Sequence, residues 1–507
     1  MTSAVTIKEL LAKGGDGDVA ITAPAAVPLT FKGLREQVDE TIAAMNRLGI
    51  GRGDRVAIVL PNGPEMAVAF LGIAAGAASA PLNPQYRADE FEFYLTDLNA
   101  KALVVEAGAD TPATQVAARL GVPVISLKAT PRKGAGRFVL DADIARPDAP
   151  AAPDPAVSSD VALVLHTSGT TSRPKIVPLT QANVCASARN VTRTLALTVS
   201  DRGLVIMPLF HIHGLIAGVL APLSVGGSIY CAPGFNALKV FGWIEEARPT
   251  WYTAVPTMHQ IILARAGHNA ATIAANPLRF IRSSSASLPP QVLAELESTF
   301  GTRVIESYGM TEAAHQMTSN LLAPGARKPG AVGVAAGPEV AIMDEAGRLL
   351  AQGETGEIVI RGDNVTPGYE NNPDANAQAL SRGWFRTGDQ GRMDEDGFLT
   401  ITGRLKEIIS RGGEKISPRE VDEVLMDHPA VMQVVTFAIP HDKLGEEVAA
   451  AVVVREGSTV TERALRDFVA ARLADFKTPR KIVFLNEIPK GATGKLQRIG
   501  LAQKLGL

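Results

Sequence analysis

The sequence predicts an α/β protein, with parallel sheet and covering helices over most of its length and a compact α+β unit at its C-terminal end. Three observations predict it. Short apolar runs that stop at turn residues alternate with segments of helical apolar spacing, the order that lays helices on the faces of a parallel sheet. From about Gly353 the texture changes to short strands separated by Gly turns. After Arg404 roughly a hundred residues remain, enough for a small independent domain. At ~100–200 residues per domain, the 507-residue chain has room for two to four.

Residues 31–48 carry Leu34, Val38, Ile42 and Met45 at helical spacing and end at Gly49. Residues 55–60 form an apolar run halted by Pro61, Asn62 and Gly63, a buried strand entering a turn. Residues 66–80 are rich in Ala and Gly, close at Pro81 and read as one buried helix. Residues 102–105 read as the next strand. Residues 145–155, rich in Ala, Pro and Asp, read as a surface connection. Further strands are expected at 161–165, 253–256 and 279–282, then at 356–362 and 397–403. There is no internal repeat of fixed period.

Hydrophobic residues make up 46% and charged residues 20%, ordinary globular usage that excludes a disordered or low-complexity chain. The formal net charge of -2 gives no general affinity for nucleic acid or an anionic membrane. Two cysteines, Cys185 and Cys231, are too few for a disulfide framework or a cysteine-based zinc site, and suit a reducing compartment. The N-terminus lacks the basic head and apolar body of a signal peptide. The 66–80 run falls short of the ~20 apolar residues of a membrane span. The final Leu505-Gly506-Leu507 is not a peroxisomal address. A cytoplasmic location is the expectation.

Five segments carry chemistry. Residues 166–175, HTSGTTSRPK, directly follow the 161–165 strand. The hydroxyls of Thr167, Ser168, Thr170 and Thr171, with Gly169, make a donor-rich loop that can wrap phosphate oxygens, and Lys175 adds a point charge. It is not a Walker loop, because no G-x-x-x-x-G-K-[ST] occurs. In Glu306-Ser307-Tyr308-Gly309-Met310-Thr311-Glu312, a Tyr beside a Gly can stack on a purine. Thr311 can bond a phosphate oxygen, and Glu312 is a hard oxygen ligand suited to Mg²⁺. Residues 383–389 end on Asp389, placed after a Gly turn to take both hydroxyls of a ribose. Residues 403–416 hold Arg404, Lys406, Gly412 and Gly413; alone, they fit a charged strand edge and a turn equally well. Residues 489–498, PKGATGKLQR, set Lys495 on a Gly-flanked loop from which it can be delivered to a reaction, although such a basic stretch is usually a solvated face.

In this order, and over nearly the whole chain, the five segments resemble the adenylate-forming superfamily of acyl-CoA synthetases, aryl-CoA ligases, luciferases and nonribosomal adenylation domains. One departure is Ile176, where relatives usually have Gly after the loop lysine; it stiffens the loop exit. The resemblance implies a large N-terminal AMP-binding domain, residues 1–403, of two stacked α/β sheets plus a small β-barrel. It implies a mobile C-terminal lid, residues 404–507, and a monomer or homodimer. It also implies two half-reactions with ATP and CoA as co-substrates and Mg²⁺ as cofactor. A carboxylate attacks the α-phosphorus of ATP, and then the CoA thiol attacks the acyl-adenylate. Lys495, Thr311, Glu312 and Lys175 would be catalytic, with Glu312 the metal ligand. The nucleotide would lie on residues 167–171, Ser285, Ala286, Glu306, Ser307, Tyr308, Gly309, Thr311, Asp389 and Arg404. Lys406 would be the hinge, and Gly412 and Gly413 would line the CoA tunnel.

By the same resemblance, residues 210–214, 251–259 and 312–315 would lie around the acyl pocket. A fatty-acyl tunnel calls for small apolar walls. Here His211, His213, His315, Ser283 and Ser285 favour a short, doubly charged acid, because a second carboxylate must not be buried unpaired. His211 and His259 fit a bracing role equally well. The stretches 207–215, 251–257, 279–288 and 310–317, with Arg411 to Pro418, look closest to the oxalate–CoA ligases. Malonate-activating relatives tend to carry an arginine at the place of Ile261; here the nearest is Arg265. Malonate and medium- or long-chain acids stay open as substrates. A luciferase-like oxygenase and a silent nucleotide-binding protein are the readings from other classes.

Overall fold

The computed structural model describes residues 5–142, 149–150, 152–167, 174–489 and 498–507. A seven-stranded sheet holds Arg55–Val59, Ala78–Pro81, Ala102–Glu106, Val124–Ala129 and Val161–His166 in parallel, with Phe138–Asp141 and Ile176–Thr180 antiparallel at its edges. The Arg55–Val59 strand is apolar along its length because Val56, Ala57 and Ile58 are fully buried in a sheet covered on both faces. Helix Phe31–Arg47 lies where its spacing predicts, with the Thr30 hydroxyl capping the Gly33 amide.

One expected element is corrected. Residues 66–80 are not a single helix: the helix is Pro64–Ala74, and Ala78–Pro81 is a parallel strand beside Arg55–Val59. Continuous apolar character does not separate a buried helix from a buried strand. The break falls at Gly76, where a Cβ would stand 2.9 Å from the Ile42 side chain.

A second, nine-stranded sheet has a parallel centre: Val19–Thr22, Ser228–Cys231, Arg202–Val205, Trp251–Ala254, Phe280–Ser283 and Val304–Met310. His315–Ser319 turns back antiparallel on Val304–Met310. The small β unit expected beside the two large sheets consists of five antiparallel strands, Glu339–Met343, Thr355–Arg361, Leu380–Ser381, Trp384–Met393 and Leu399–Arg404. The C-terminal strands Ile409–Arg411, Glu414–Ile416, Val431–His441, Gly445–Val454 and Lys481–Phe484 form a separate sheet. Helices Pro418–Met426 and Glu462–Ala470 pack on it around Ile409, Val421, Leu425, Val448 and Leu465. Among the described residues no helix is long and apolar enough to cross a membrane.

Candidate active site

The parallel strands of the nine-stranded sheet deliver their loops to one edge, the carboxyl edge at which open α/β sheets bind ligands. Arg202–Val205 leads to His211 and His213, Trp251–Ala254 ends beside Thr253, Phe280–Ser283 leads to Ser284 and Ser285, and Val304–Met310 leads to Thr311 and Glu312. Local backbone is strained there. Ser285 (φ 73°), Ala314 (φ 46°) and His315 (φ 109°) are left-handed without being glycine. Gly309 is required: a Cβ on it would lie 1.6 Å from the His315 carbonyl oxygen. His213–Leu220 follows as a wide π-helical segment, a form that gathers at functional sites.

One set of groups joins Tyr308, Asp389 and Arg404, and another Glu312 and Tyr369. The Tyr308 hydroxyl donates to Asp389 Oδ2 (2.6 Å), and Arg404 Nε donates to Asp389 Oδ1 (3.0 Å). Register explains the meeting, since Asp389 and Arg404 are paired on adjacent strands. Burial and the Asp389 carboxylate hold the Tyr308 phenol well above its usual range. Glu312 is buried; its Oε1 accepts from the Tyr369 hydroxyl at 2.7 Å, and desolvation raises its carboxyl. Lys175 Nζ lies 4.3 Å above the Tyr369 ring. Burial and the nearby Lys406 charge lower the Lys175 ammonium, while Glu312 pulls it up. Thr167 N donates to Lys175 O at 3.0 Å. Ile176 is buried at the start of an edge strand, and its carbonyl accepts from the Glu370 amide.

The histidines form a third set. His213 Nδ1 is 3.0 Å from Ser285 Oγ, and its Nε2 is 2.6 Å from Thr253 Oγ1. Its ring stacks on His315, centroids 4.8 Å apart. The His211 ring rests on Phe210 at 4.6 Å. Ser283 is fully buried, and its hydroxyl has no partner among the described residues. His259 is a brace: fully buried, Nδ1 3.2 Å from the Tyr252 hydroxyl, its pKa pushed down by burial to about 3. His166 is likewise occupied, its Nε2 2.9 Å from Asp97 Oδ2.

Other expected residues fall in varied places. Glu306 turns its carboxylate onto the Leu288 amide (3.0 Å), and burial pushes its pKa up to about 7. Ser307 bonds the Ser283 and Ser284 segment, and Ala286 is exposed. Gly412 and Gly413, at φ 59° and 97°, form the tip of the Ile409–Arg411 and Glu414–Ile416 hairpin. Ser168, Gly169, Thr170, Thr171 and Lys495 lie outside the described residues.

Two residues of this edge were not singled out from sequence. Tyr369 joins Glu312 from 57 positions away, in a Pro-Gly stretch with no apolar period. Arg282 is fully buried, donates from Nη1 toward His213 Nε2 (3.3 Å) and from Nη2 to Gln316 Oε1 (3.1 Å), and its Nε has no partner among the described residues. A charged residue in a central strand of a parallel sheet was the available signal.

Comparison with known proteins agrees with this geometry. Residues 11–370 match the family described as AMP-binding enzyme, and residues 420–495 match the AMP-binding enzyme C-terminal domain. The chain is 44% identical to an oxalate–CoA ligase of Arabidopsis thaliana, covering 96% of this chain and 95% of that one. It is 42% identical to an oxalate–CoA ligase of Saccharomyces cerevisiae, covering 89% and 87%. The crystal structure of ATP-bound MatB from Rhodopseudomonas palustris superposes with a TM-score of 0.86 at 29% identity, covering 97% of each chain.

Proposed function

The chain belongs to the AMP-binding enzyme family, and from that premise we propose that it converts oxalate, ATP and CoA to oxalyl-CoA, AMP and diphosphate. That it is an AMP-forming acid–thiol ligase follows from the family and from its CoA-ligase relatives. One observation carries the choice of acid: a small set of donors, the buried His213 and His315 with the half-buried Ser285, is backed by the buried cation of Arg282. A fatty-acyl tunnel has no use for such a wall, whereas a short dianion needs it. Its oxalate–CoA ligase relatives support the same acid.

In the first half-reaction a carboxylate oxygen attacks the α-phosphorus, and the bond to the β-phosphate oxygen breaks with diphosphate leaving. Two anions must approach, so cations must offset the developing charge. Lys175, held over Tyr369, and Lys495 are assigned that task, while Thr311 and residues 167–171 orient the phosphates. Asp389 and Arg404 hold the ribose, and Tyr308, Gly309, Ser285 and Ala286 border the base. Mg²⁺ fits the donor set: Glu312 is a single hard carboxylate, and this ion is commonly held by one or two carboxylates plus substrate phosphates. Bound there, it would neutralise phosphate charge.

In the second half-reaction the CoA sulfur attacks the acyl carbon, the carbon–phosphate oxygen bond breaks, and AMP leaves with the electron pair. Gly412 and Gly413, on an open hairpin tip, leave room for the pantetheine arm. The lid begins after residue 403, and Lys406 is the hinge. Strand Leu399–Arg404 ends there, and only the short turn Leu405–Glu407 precedes the next sheet. A cytoplasmic location suits the two buried free thiols, Cys185 and Cys231.

The test is a carboxylate panel with ATP and CoA, read as AMP release. Oxalate should be preferred. A preference of about tenfold or more in kcat/KM for malonate, acetate or a fatty acid, ~1.4 kcal/mol in the transition state, overturns the acid and leaves the ligase standing.

A further inference from the structure

Arg282 is 0% exposed in a central parallel strand, and among the described residues its side chain bonds only His213, Thr253 and Gln316, none of them a carboxylate. Nη1 lies 3.3 Å from His213 Nε2 and 3.4 Å from Thr253 Oγ1, and Nη2 lies 3.1 Å from Gln316 Oε1. Nε has no partner, and no carboxylate pairs with the side chain among the described residues. A buried charge without a counter-charge is expensive, and proteins rarely keep one unless an anion is brought to it. Gln316 is itself held in place, donating to the Ala336 carbonyl and to Thr194 Oγ1, so the guanidinium is locked on that side.

The contact with His213 has a chemical consequence. A guanidinium only donates, so Nε2 of His213 must accept, and the imidazole proton must sit on Nδ1. That proton points at Ser285 Oγ, 3.0 Å away. Ser285 then accepts with its lone pair, and its own hydrogen is free for a third group. The chain Arg282, His213, Ser285 thus relays a fixed positive charge outward as oriented donors.

We infer that Arg282 selects for a second negative charge on the acid: a positioning residue that, through His213 and Ser285, favours dianionic over monoanionic substrates of the same shape. The inference rests on the acid–CoA ligase reading. Unlike an arginine facing the pocket from the helix Pro256–Ala266, where Ile261 and Arg265 are exposed, this charge comes from beneath the sheet edge.

The test compares oxalate with oxamate, its near-isosteric monoanion, in wild type, Arg282→Met and Arg282→Lys, reading AMP release and thermal stability. Methionine fills similar space without charge, and replacing an unpaired buried charge by an apolar group is often neutral or stabilising. Arg282→Met should lower the oxalate-to-oxamate ratio of kcat/KM about a hundredfold, with KM for ATP unchanged. Arg282→Lys should recover at least about a tenth of the wild-type ratio, because the charge is kept. Equal loss on both acids, in either folded variant, would mean a structural role and overturn the inference, as would an unchanged ratio in Arg282→Met. If Arg282→Met does not fold, an Arg282→Lys ratio less than about a hundredth of wild type overturns it. A wild type that rejects oxalate but prefers another dianion over its monoamide, a preference erased in Arg282→Met, sinks the oxalate assignment and keeps the selector.

Discussion

The two halves of the site solve the same electrostatic problem in opposite ways. In the nucleotide half, anionic groups are already partnered: Asp389 by Tyr308 and Arg404, Glu312 by Tyr369. Here the protein must offer its polyanionic ligand fixed geometry, and cations are brought in by loops. In the acid half the order is reversed. A cation, Arg282, is buried with no carboxylate partner among the described residues, and by the inference above the anion that balances it is the substrate. The difference teaches where binding energy is stored. The nucleotide half draws its described groups from strands Val304–Met310, Trp384–Met393 and Leu399–Arg404, so under the lid movement proposed above it would be taken apart between half-reactions. The acid half is built into one sheet edge and under the same proposal would stay in place.

The largest effect is expected at Lys495, the residue assigned above to the adenylation step. Lys495→Ala should cut adenylate formation by on the order of a thousandfold, about 4 kcal/mol, since it removes charge stabilisation at the reacting phosphate. Thiolysis of supplied acyl-adenylate should stay mostly intact. Both half-reactions are measured separately, by diphosphate release and by CoA ester formation; equal loss in both would erase the division between moving and fixed halves.

Next comes the fixed half. His315→Ala removes the ring stacked on His213 and leaves a substrate carboxylate less well met, a loss on the order of several hundredfold in oxalate kcat/KM. KM for ATP should change little. A variant that lost ATP affinity in step with oxalate would show that the halves are one site.

Much of this division was legible from residues, and the failures are specific. The 166–175 segment follows a strand that the apolar pattern located, because a parallel strand buried on both faces leaves a continuous signature and its loop must emerge at the ligand edge. His213, Ser285 and His315 came from the resemblance to the family, not from the apolar pattern. Tyr369 was invisible because its contact with Glu312 is made by chain return and not by local spacing. The helix at 66–80 was overextended because an Ala-rich strand in a fully buried position looks like a helix. Arg282 stood in plain view inside an apolar strand; what it lacks among the described residues is a counter-charge, and that is a property of three dimensions.

Glu306 tests whether the boundary between the halves carries an electrostatic load. Its pKa is pushed up to about 7 by burial, so between pH 4.5 and 7 the folded state binds more protons than the unfolded chain. Stability therefore falls as pH rises through that window and is flat above it. Glu306→Gln, which keeps an acceptor for the Leu288 amide, cannot ionise. Its stability relative to wild type should rise from pH 4 to pH 8 by at most about 3 kcal/mol. Urea denaturation at both pH values measures this, and a pH-independent gap would show that the carboxylate does not titrate in the folded state.

The smallest effect expected is at Tyr369, and it sharpens the comparison most finely. Tyr369→Phe keeps the ring beneath Lys175 and removes only the hydroxyl that donates to Glu312 Oε1. A buried carboxylate that loses one donor is destabilised by roughly 1–2 kcal/mol. The expected result is a fall of about tenfold in kcat/KM for ATP with the oxalate-to-oxamate ratio unchanged. Tyr369→Ala also removes the face on which Lys175 rests, and should cost more. If the phenylalanine variant instead shifted acid preference and left ATP alone, Glu312 and Tyr369 would belong to the acid half, and the partnered carboxylates could no longer be assigned to the nucleotide.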